Sequence, residues 1–376
     1  MQHKRVKFIP PNKPRVNFQM VLRKRVEAYF KENNISKYGD FRMILKTIAM
    51  LSMYFVPYAL IMTNSFSNGQ MLLMTAIMGV GLAGIGLSVM HDANHGAYSD
   101  NKLVNTIMGF SLNIVGGCAM TWKVQHNVLH HSYTNIPGYD EDIRDRKVVR
   151  LSPDVKHRGI HRFQHIYALF LYGFPSLTWV IYKDIFQLID YAKRGLIQNV
   201  KKEVFILVVS KLFYYAYIIV LPLMVLDVTF WQFLAGFLLM HYVAGMILTV
   251  IFQLAHVLEE TVMPLPTEND TIENQWAIHQ METTANFATH NRLLNWYAGG
   301  LNFQVEHHLF PQVCHIHYPA ISKIVRETAE EHGVPYYNNK TFWKALGSHL
   351  RFLKRLGDPN IDEATLRTAT LADYQS

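Results

Sequence analysis

The stretch Met71–His95, MLLMTAIMGVGLAGIGLSVM followed by HDANH, decides how this chain is organised. Residues 71–90 are nearly all apolar or small, and roughly 20 such residues suffice to cross a bilayer as one helix. Directly behind them stand His91 and His95. On a helix, residues four apart share a face, so two imidazoles at this spacing aim at one point. The combination predicts a membrane helix that delivers a pair of metal-ligand side chains at its end.

Two further clusters repeat the theme, His126-Asn-Val-Leu-His130-His131 and Gln304-Val-Glu-His307-His308. Neutral imidazole is a good ligand for iron, zinc and copper. One HxxxH arises by chance, whereas two of them, two HH doublets and a matching glutamine-containing cluster point to two metals. Adjacent helical side chains are splayed by about 100°, so each doublet can serve two different ions. His256, in Gln253-Leu-Ala-His256, follows another apolar stretch and joins the candidate set. Structural zinc uses four ligands with cysteine common, and catalytic zinc usually three. An all-histidine set of this size suits a pair of redox-active irons better.

The rest of the chain frames these clusters. Of 376 residues half are hydrophobic and 17% charged, too apolar for an ordinary soluble domain and too polar for a bare bundle of spans. Four stretches have the length and character of spans, at about 47–65, 71–90, 204–226 and 231–255. The short turns Phe66–Gln70 and Asp227–Phe230 make them two transmembrane hairpins. Counting crossings puts residues 1–43, the 91–203 region and residues 256–376 on one side. The N-terminal segment carries Lys4, Arg5, Lys7, Lys13, Arg15, Arg23, Lys24 and Arg25, while neither turn carries Lys or Arg. By the positive-inside rule the shared side is the cytoplasm, of a bacterial inner membrane in our reading. The expected fold is therefore all-α, one integrated domain whose hairpins (44–255) carry intervening cytosolic helices and whose C-terminal part (256–376) caps a metal centre. The apolar stretches 103–120 and 165–182 read as interfacial or re-entrant helices. Cys118 and Cys314 imply no disulfide framework. The net charge of +8 reads as the ordinary cytoplasmic Lys/Arg bias, with an acidic redox partner or an anionic membrane surface as the alternative. No nucleic-acid partner is expected.

The clusters, their order and the hairpins resemble the membrane fatty acyl desaturases. Gln304-Val-Glu-His307-His308-Leu-Phe-Pro, preceded by Gly-Leu-Asn302-Phe, is similar to the third histidine box of the front-end branch. His126-Asn127 through His130-His131-Ser-Tyr133-Thr-Asn135 is similar to its second box. The resemblance implies a di-iron site, ligated by the boxes and by His256, that uses O2 and two electrons to remove two hydrogens from an acyl chain carried on CoA or a membrane lipid. Many front-end members carry a fused cytochrome b5 domain with a His-Pro-Gly-Gly motif. This chain has no such motif, so its electrons are expected from a separate protein of ferredoxin or cytochrome b5 type.

Several residues have two readings. Gln304 either binds metal or orients a ligand. Asn286 and His290, another i, i+4 pair, are weaker ligand candidates. Asp92, and with less force Asn127, are expected to bond an imidazole N–H and fix its orientation. Asn302, Trp122 and Trp296 are expected to pack around the site. The run Asp140-Glu141-Asp142 is open between pairing with Arg144 or Arg146 and contacting a headgroup. His157, His161 and His165 read as an interfacial helix, His315 and His317 as weak supporting candidates, and His241 as a channel residue or a neutral histidine bonded within the membrane. A hydroxylase or ketolase on the same scaffold is the alternative enzyme. A metal transporter is disfavoured because the spans are nearly free of ionisable groups, Lys211 excepted.

Overall fold

The computed structural model of this protein describes residues 5–10 and 17–368. Lys4, Lys13 and Arg15 of the basic N-terminal segment lie outside the described residues. The fold is predominantly helical and comprises two compact units. Of the described residues, Tyr38–Val124 and Leu169–Val250 form the first; those within Lys4–Lys37, Gln125–Ala168 and Ile251–Ser376 form the second.

Among the described residues four helices are long and apolar enough to cross a membrane, Phe41–Ile61, Asn68–Asn94, Val200–Val225 and Phe230–His256. Each starts where a polar side chain satisfies the N–H groups that a helix leaves unpaired. The Asp40 carboxylate accepts from Arg42 N–H (2.9 Å), so the first span begins well before residue 47. Gln70 reaches back to Ser67 N–H (2.9 Å) in a capping box, so the second begins at Asn68; with the first ending at Ile61, the turn lies earlier than the expected Phe66–Gln70. Asn199 caps the third through Lys202 N–H (3.1 Å). Gln232 accepts from Thr229 N–H (2.7 Å) at the head of the fourth. The two hairpin turns are tied together, Asn64 Nδ2 donating to Asp227 (2.6 Å) and Asp227 N–H to Asn64 Oδ1 (3.1 Å).

Small residues let these helices approach closely, as membrane helices commonly require. A Cβ built on Gly79 would lie 2.5 Å from the Met240 carbonyl oxygen, and one on Gly81 2.7 Å from the Tyr54 nitrogen. Large apolar side chains such as Leu73, Phe205, Leu212 and Met224 remain exposed on the spans, as lipid-facing positions demand. The second span runs on to Asn94 through a π-helical turn at Ile85–Val89. His91 therefore sits on its last helical turn and His95 caps it, where the sequence had placed both just beyond it.

The stretch after the second span is not one straight crossing. Helices Lys102–Ile114 and Ala119–Tyr133 meet at a bend of 112°. The break contains Gly116, whose φ of +95° favours glycine and whose Cβ would meet Tyr214 and Val180 at 3.0 Å. Lys211 explains itself here. Its ammonium donates to the carbonyls of Gly116 and Trp179 (both 2.7 Å) and to the Asp184 carboxylate (2.8 Å), so the one cation in the third span's interior is fully paired. His241 is bonded within the membrane unit, its Nε2 2.8 Å from Tyr214 Oη and its Nδ1 3.3 Å from Ser176 Oγ. Pro175 opens a new helix in the second ambiguous stretch, and Phe170, Phe174, Ile181, Phe186 and Ile189 stay exposed there. An exposed apolar row on short helices suits an interfacial location.

The second unit has a core of Phe18, Leu22 and Val26, from the helix Phe18–Glu32, packed against Met281, Phe303, Val305, Tyr318 and Ile321. Two short parallel strand pairs, Lys7–Phe8 with Thr271–Ile272 and Ala285–Phe287 with Tyr337–Asn339, pin distant segments together. His157 Nε2 lies 3.0 Å from Gly357 O and His161 Nε2 2.9 Å from Lys147 O, so these histidines hold loops through backbone carbonyls.

Candidate metal centre

In the second unit the second box lies on a π-helical turn, Val124–His130, which continues into His131–Tyr133. A π-turn brings residues five apart onto one face, and such turns are frequent at functional sites. His126 and His131 accordingly come together, Nε2 to Nε2 3.1 Å, and His307 Nε2 lies 2.9 Å from His131 Nε2. His130 turns the other way. Its ligand nitrogen lies within 4.8 Å of those of His256 and His308, all three buried. Each doublet is thus divided: His131 and His307 belong with His126, His130 and His308 with His256.

Four of these imidazoles are held from behind through Nδ1. His130 Nδ1 is 3.1 Å from Asp140 Oδ2 and 3.3 Å from Asp142 Oδ2. His308 Nδ1 is 2.8 Å from Gln280 Oε1, His256 Nδ1 3.3 Å from Thr283 O, and His307 Nδ1 3.2 Å from Tyr318 Oη. Metal-binding histidines are characteristically oriented in this way, with the second ring nitrogen hydrogen-bonded so that the first points at the ion. The Nε2 atoms of His130 and His256 are buried and have no hydrogen-bond partner. A buried polar atom left so is costly unless something else satisfies it. The donor set, its convergence and these two atoms fit a metal ion bound through imidazole nitrogen.

The supporting charges are arranged to match. Burial presses the Asp140 carboxyl upward, but the adjacent His130 ring and the N–H groups of Asp142 and Asn135 together outweigh it and hold the group below the ordinary carboxylate range. Asn135 N–H (2.9 Å to Oδ2) and Asp142 N–H (2.9 Å to Oδ1) fix that carboxylate. Gln280 does double duty, since its Nε2 donates to His131 O (3.3 Å) while its Oε1 holds His308. Burial pushes Glu306, inside the third box, up to about 7 against hydrogen bonds from Tyr336 and Asn286.

The remaining candidates are distributed as follows. In the first unit the His91 and His95 rings stand 4.8 Å apart, and Trp122 presses edge-on against both, at 5.4 and 5.7 Å. Asp92 is buried with its Oδ1 3.9 Å from His91 Nδ1, an ion-pair separation longer than a hydrogen bond. In the second unit Gln304 is buried on the helix Gln304–Leu309, and neither its Oε1 nor its Nε2 has a partner. Asn286 spends its amide elsewhere: Nδ2 donates to Glu306 (2.8 Å) and Oδ1 accepts from Val305 N–H (2.9 Å), which locks the start of the third-box helix. His290 is exposed and is not drawn in with the other imidazoles. Asn127 is half-buried. Asn302 is buried, and its carbonyl accepts from Phe287 N–H (3.0 Å). Trp296 is 43% exposed, so it is not a wall of the site. His317 packs edge-on against Phe30 at 5.1 Å. Asp140 and Gln280 are the orienting residues that sequence reading missed. Asp140 follows His130 by ten residues in an acidic run whose Arg partners proved to be a histidine. Gln280 carries no local signal beyond being a polar residue on the inward face of the helix Trp276–Glu282.

Comparison with known proteins agrees with this geometry. The family model "fatty acid desaturase" matches residues 69–339. The chain is 38% identical to a Synechocystis sn-1 linoleoyl-lipid 6-desaturase over 90% of its length and 95% of that protein's. It is 39% identical to an acyl-lipid (8-3)-desaturase of Physcomitrium patens, covering 91% of this chain and 72% of the other. The chain belongs to the fatty acid desaturase family. It is a fatty acyl desaturase, an oxidoreductase, and a multi-pass membrane protein.

Proposed function

We propose that this protein introduces a double bond into an acyl chain carried on a membrane lipid, using O2 and a pair of non-haem irons. The observation that carries the metal assignment is the set of buried imidazoles held through Nδ1, with the Nε2 atoms of His130 and His256 otherwise unsatisfied. His126, His130, His131, His256, His307 and His308 would serve as ligands, and His91 and His95 are ligand candidates by their own spacing. Gln304, with an unpartnered buried amide on the third-box helix, is a further donor in this reading. The names of the relatives, which act on acyl lipids, favour a lipid-borne chain over a CoA thioester.

An unactivated methylene has no acidic proton, so acid–base side chains are of no use against it. Bound iron supplies the oxidising power to take hydrogen from such a carbon with O2. The protein's own share is orientation. Asp140 and Gln280 fix the imidazole rings, and the buried surroundings exclude water. The overall change removes two hydrogens from adjacent methylenes and, with two electrons and two protons, converts O2 into two waters. A separate ferredoxin- or cytochrome b5-type protein would supply the electrons, delivered on the cytoplasmic side.

Expression in a bacterial host of simple lipid composition tests the reaction. A new double bond that appears only under aeration, and about two irons per purified chain, are the expected results. A hydroxylated chain with no new double bond would transfer the assignment to a hydroxylase.

A further inference from the structure

The four spans line a half-open cavity of about 310 Å³ at the end of the membrane unit that bears the hairpin turns. Its walls include Ile61 of the first span, Met71 and Thr75 of the second, Ile218 of the third, and Phe233 and Phe237 of the fourth. Along the second span the lining runs from Asn68 to Met78, and along the fourth from Trp231 to Met240. At 1.5 Å per residue these are depths of about 15 and about 14 Å. A bilayer's hydrocarbon core is about 30 Å thick. The cavity is therefore as deep as one leaflet.

Its inner end is closed. Gly79 packs onto the Met240 carbonyl and Gly81 onto the Met53–Tyr54 backbone, where a Cβ would come within 2.5 and 2.7 Å. Tyr54 Oη meets Tyr217 Oη at 2.9 Å in the same layer. All four spans contribute to this floor. On the second span His91 lies a further 91 − 78 = 13 residues past Met78, about 20 Å along the helix. At the outer end the lining includes Trp231, which is 73% exposed, as aromatic residues at a headgroup boundary are.

We propose that this cavity binds one acyl chain of a bilayer lipid drawn from the leaflet on the side of the hairpin turns, as a ligand distinct from the substrate. Its medium is hydrocarbon. Water would find almost no partner inside, since the Thr75 hydroxyl is already bonded to Leu72 O at 2.8 Å. An apolar space of this size left empty forfeits the contacts of its whole lining. The depth matches a single chain entering from one face, and the floor separates that chain from the end of the span that carries His91.

The full chain in nanodiscs containing a phosphatidylglycerol with a diazirine on one acyl chain provides the test. After irradiation, peptide mass spectrometry should place adducts on the lining residues Met71, Thr75 and Phe233. No adduct on any of the three overturns the proposal. Ala235→Phe and Thr75→Phe fill the space, and each should cut labelling of the lining at least ten-fold while desaturation continues. Undiminished labelling in both variants, or a changed substrate chain-length range in either, also overturns it, the latter because the cavity would then hold the substrate's own tail.

Discussion

The membrane unit and the histidine-bearing unit treat buried polar groups in opposite ways. In the membrane unit they close on one another. Lys211 is satisfied by two carbonyls and Asp184, His241 by Tyr214 and Ser176, and Tyr54 by Tyr217. In the other unit the polar groups are half-satisfied by design: Nδ1 of each oriented imidazole is bonded to protein, while Nε2 of His130 and of His256 has no hydrogen-bond partner. The first arrangement stabilises helices in a medium that offers no hydrogen bonds. The second presents a ligand set. Buried polarity is thus structural around Lys211, His241 and Tyr54 and ligand-presenting around the second and third boxes, and local motif spelling alone does not tell the two apart.

The comparison can be broken most decisively at the ligands. His308→Ala or His130→Ala should reduce turnover by more than 1,000-fold and lower the iron content measured by elemental analysis, with membrane insertion unchanged. Near-normal activity in either would remove that residue from the centre. On the structural side, Lys211→Met strands the Asp184 carboxylate. Breaking a buried pair in this way costs about 3–5 kcal/mol, read as a large drop in Tm in detergent. The double variant Lys211→Met/Asp184→Asn should recover much of that loss, and failure to recover would mean that the carbonyl contacts dominate.

Acid should act on the histidine-bearing unit through buried histidines outside the proposed ligand set. Burial pushes His279 and His349 down to about 4. An unfolded histidine takes up its proton near pH 6.5. Because the folded pKa is the lower one, the stability contribution is complete above 6.5 and is lost as pH falls from 6.5 toward 4. At full extent this amounts to roughly 3 kcal/mol per residue. His349→Asn, which can still donate to Val257 O, should flatten the fall of Tm between pH 6.5 and 4.5. An unaltered slope would assign the acid sensitivity elsewhere.

The orienting residues should show smaller, graded effects. Asp140→Asn keeps the shape but weakens the hold on His130, and changes of this kind lower metal affinity or activity about 10–100-fold. Titration with Fe(II) checks this, and Asp140→Glu should recover part of the loss. His290→Ala, at an exposed position, should leave turnover within about 2-fold of wild type. A larger loss would restore His290 as a ligand candidate.

What the residue order determined was the architecture and the inventory. Runs of apolar residues long enough to cross a bilayer announce themselves because lipid leaves the backbone few alternatives, and all four helices appear where those runs are. Helix starts shifted because caps such as Asp40, Ser67 with Gln70, and Thr229 with Gln232 lie outside the apolar runs. The histidine boxes stand out for a similar reason, since the metal site proposed for them would restrict residue type and spacing. Tertiary structure decided how those imidazoles divide and what holds them. The π-turn at Val124–His130 brought His131, five residues on, against His126, where an α-helical count pairs His126 with His130. Gln280 and Thr283 became orienting partners of His308 and His256 only because the chain folds back on itself, and Asp140 because the loop after Tyr133 returns to His130. Short-range periodicity constrains which face a side chain occupies, but a hydrogen bond across many residues depends on where the chain returns, and no local pattern encodes that return.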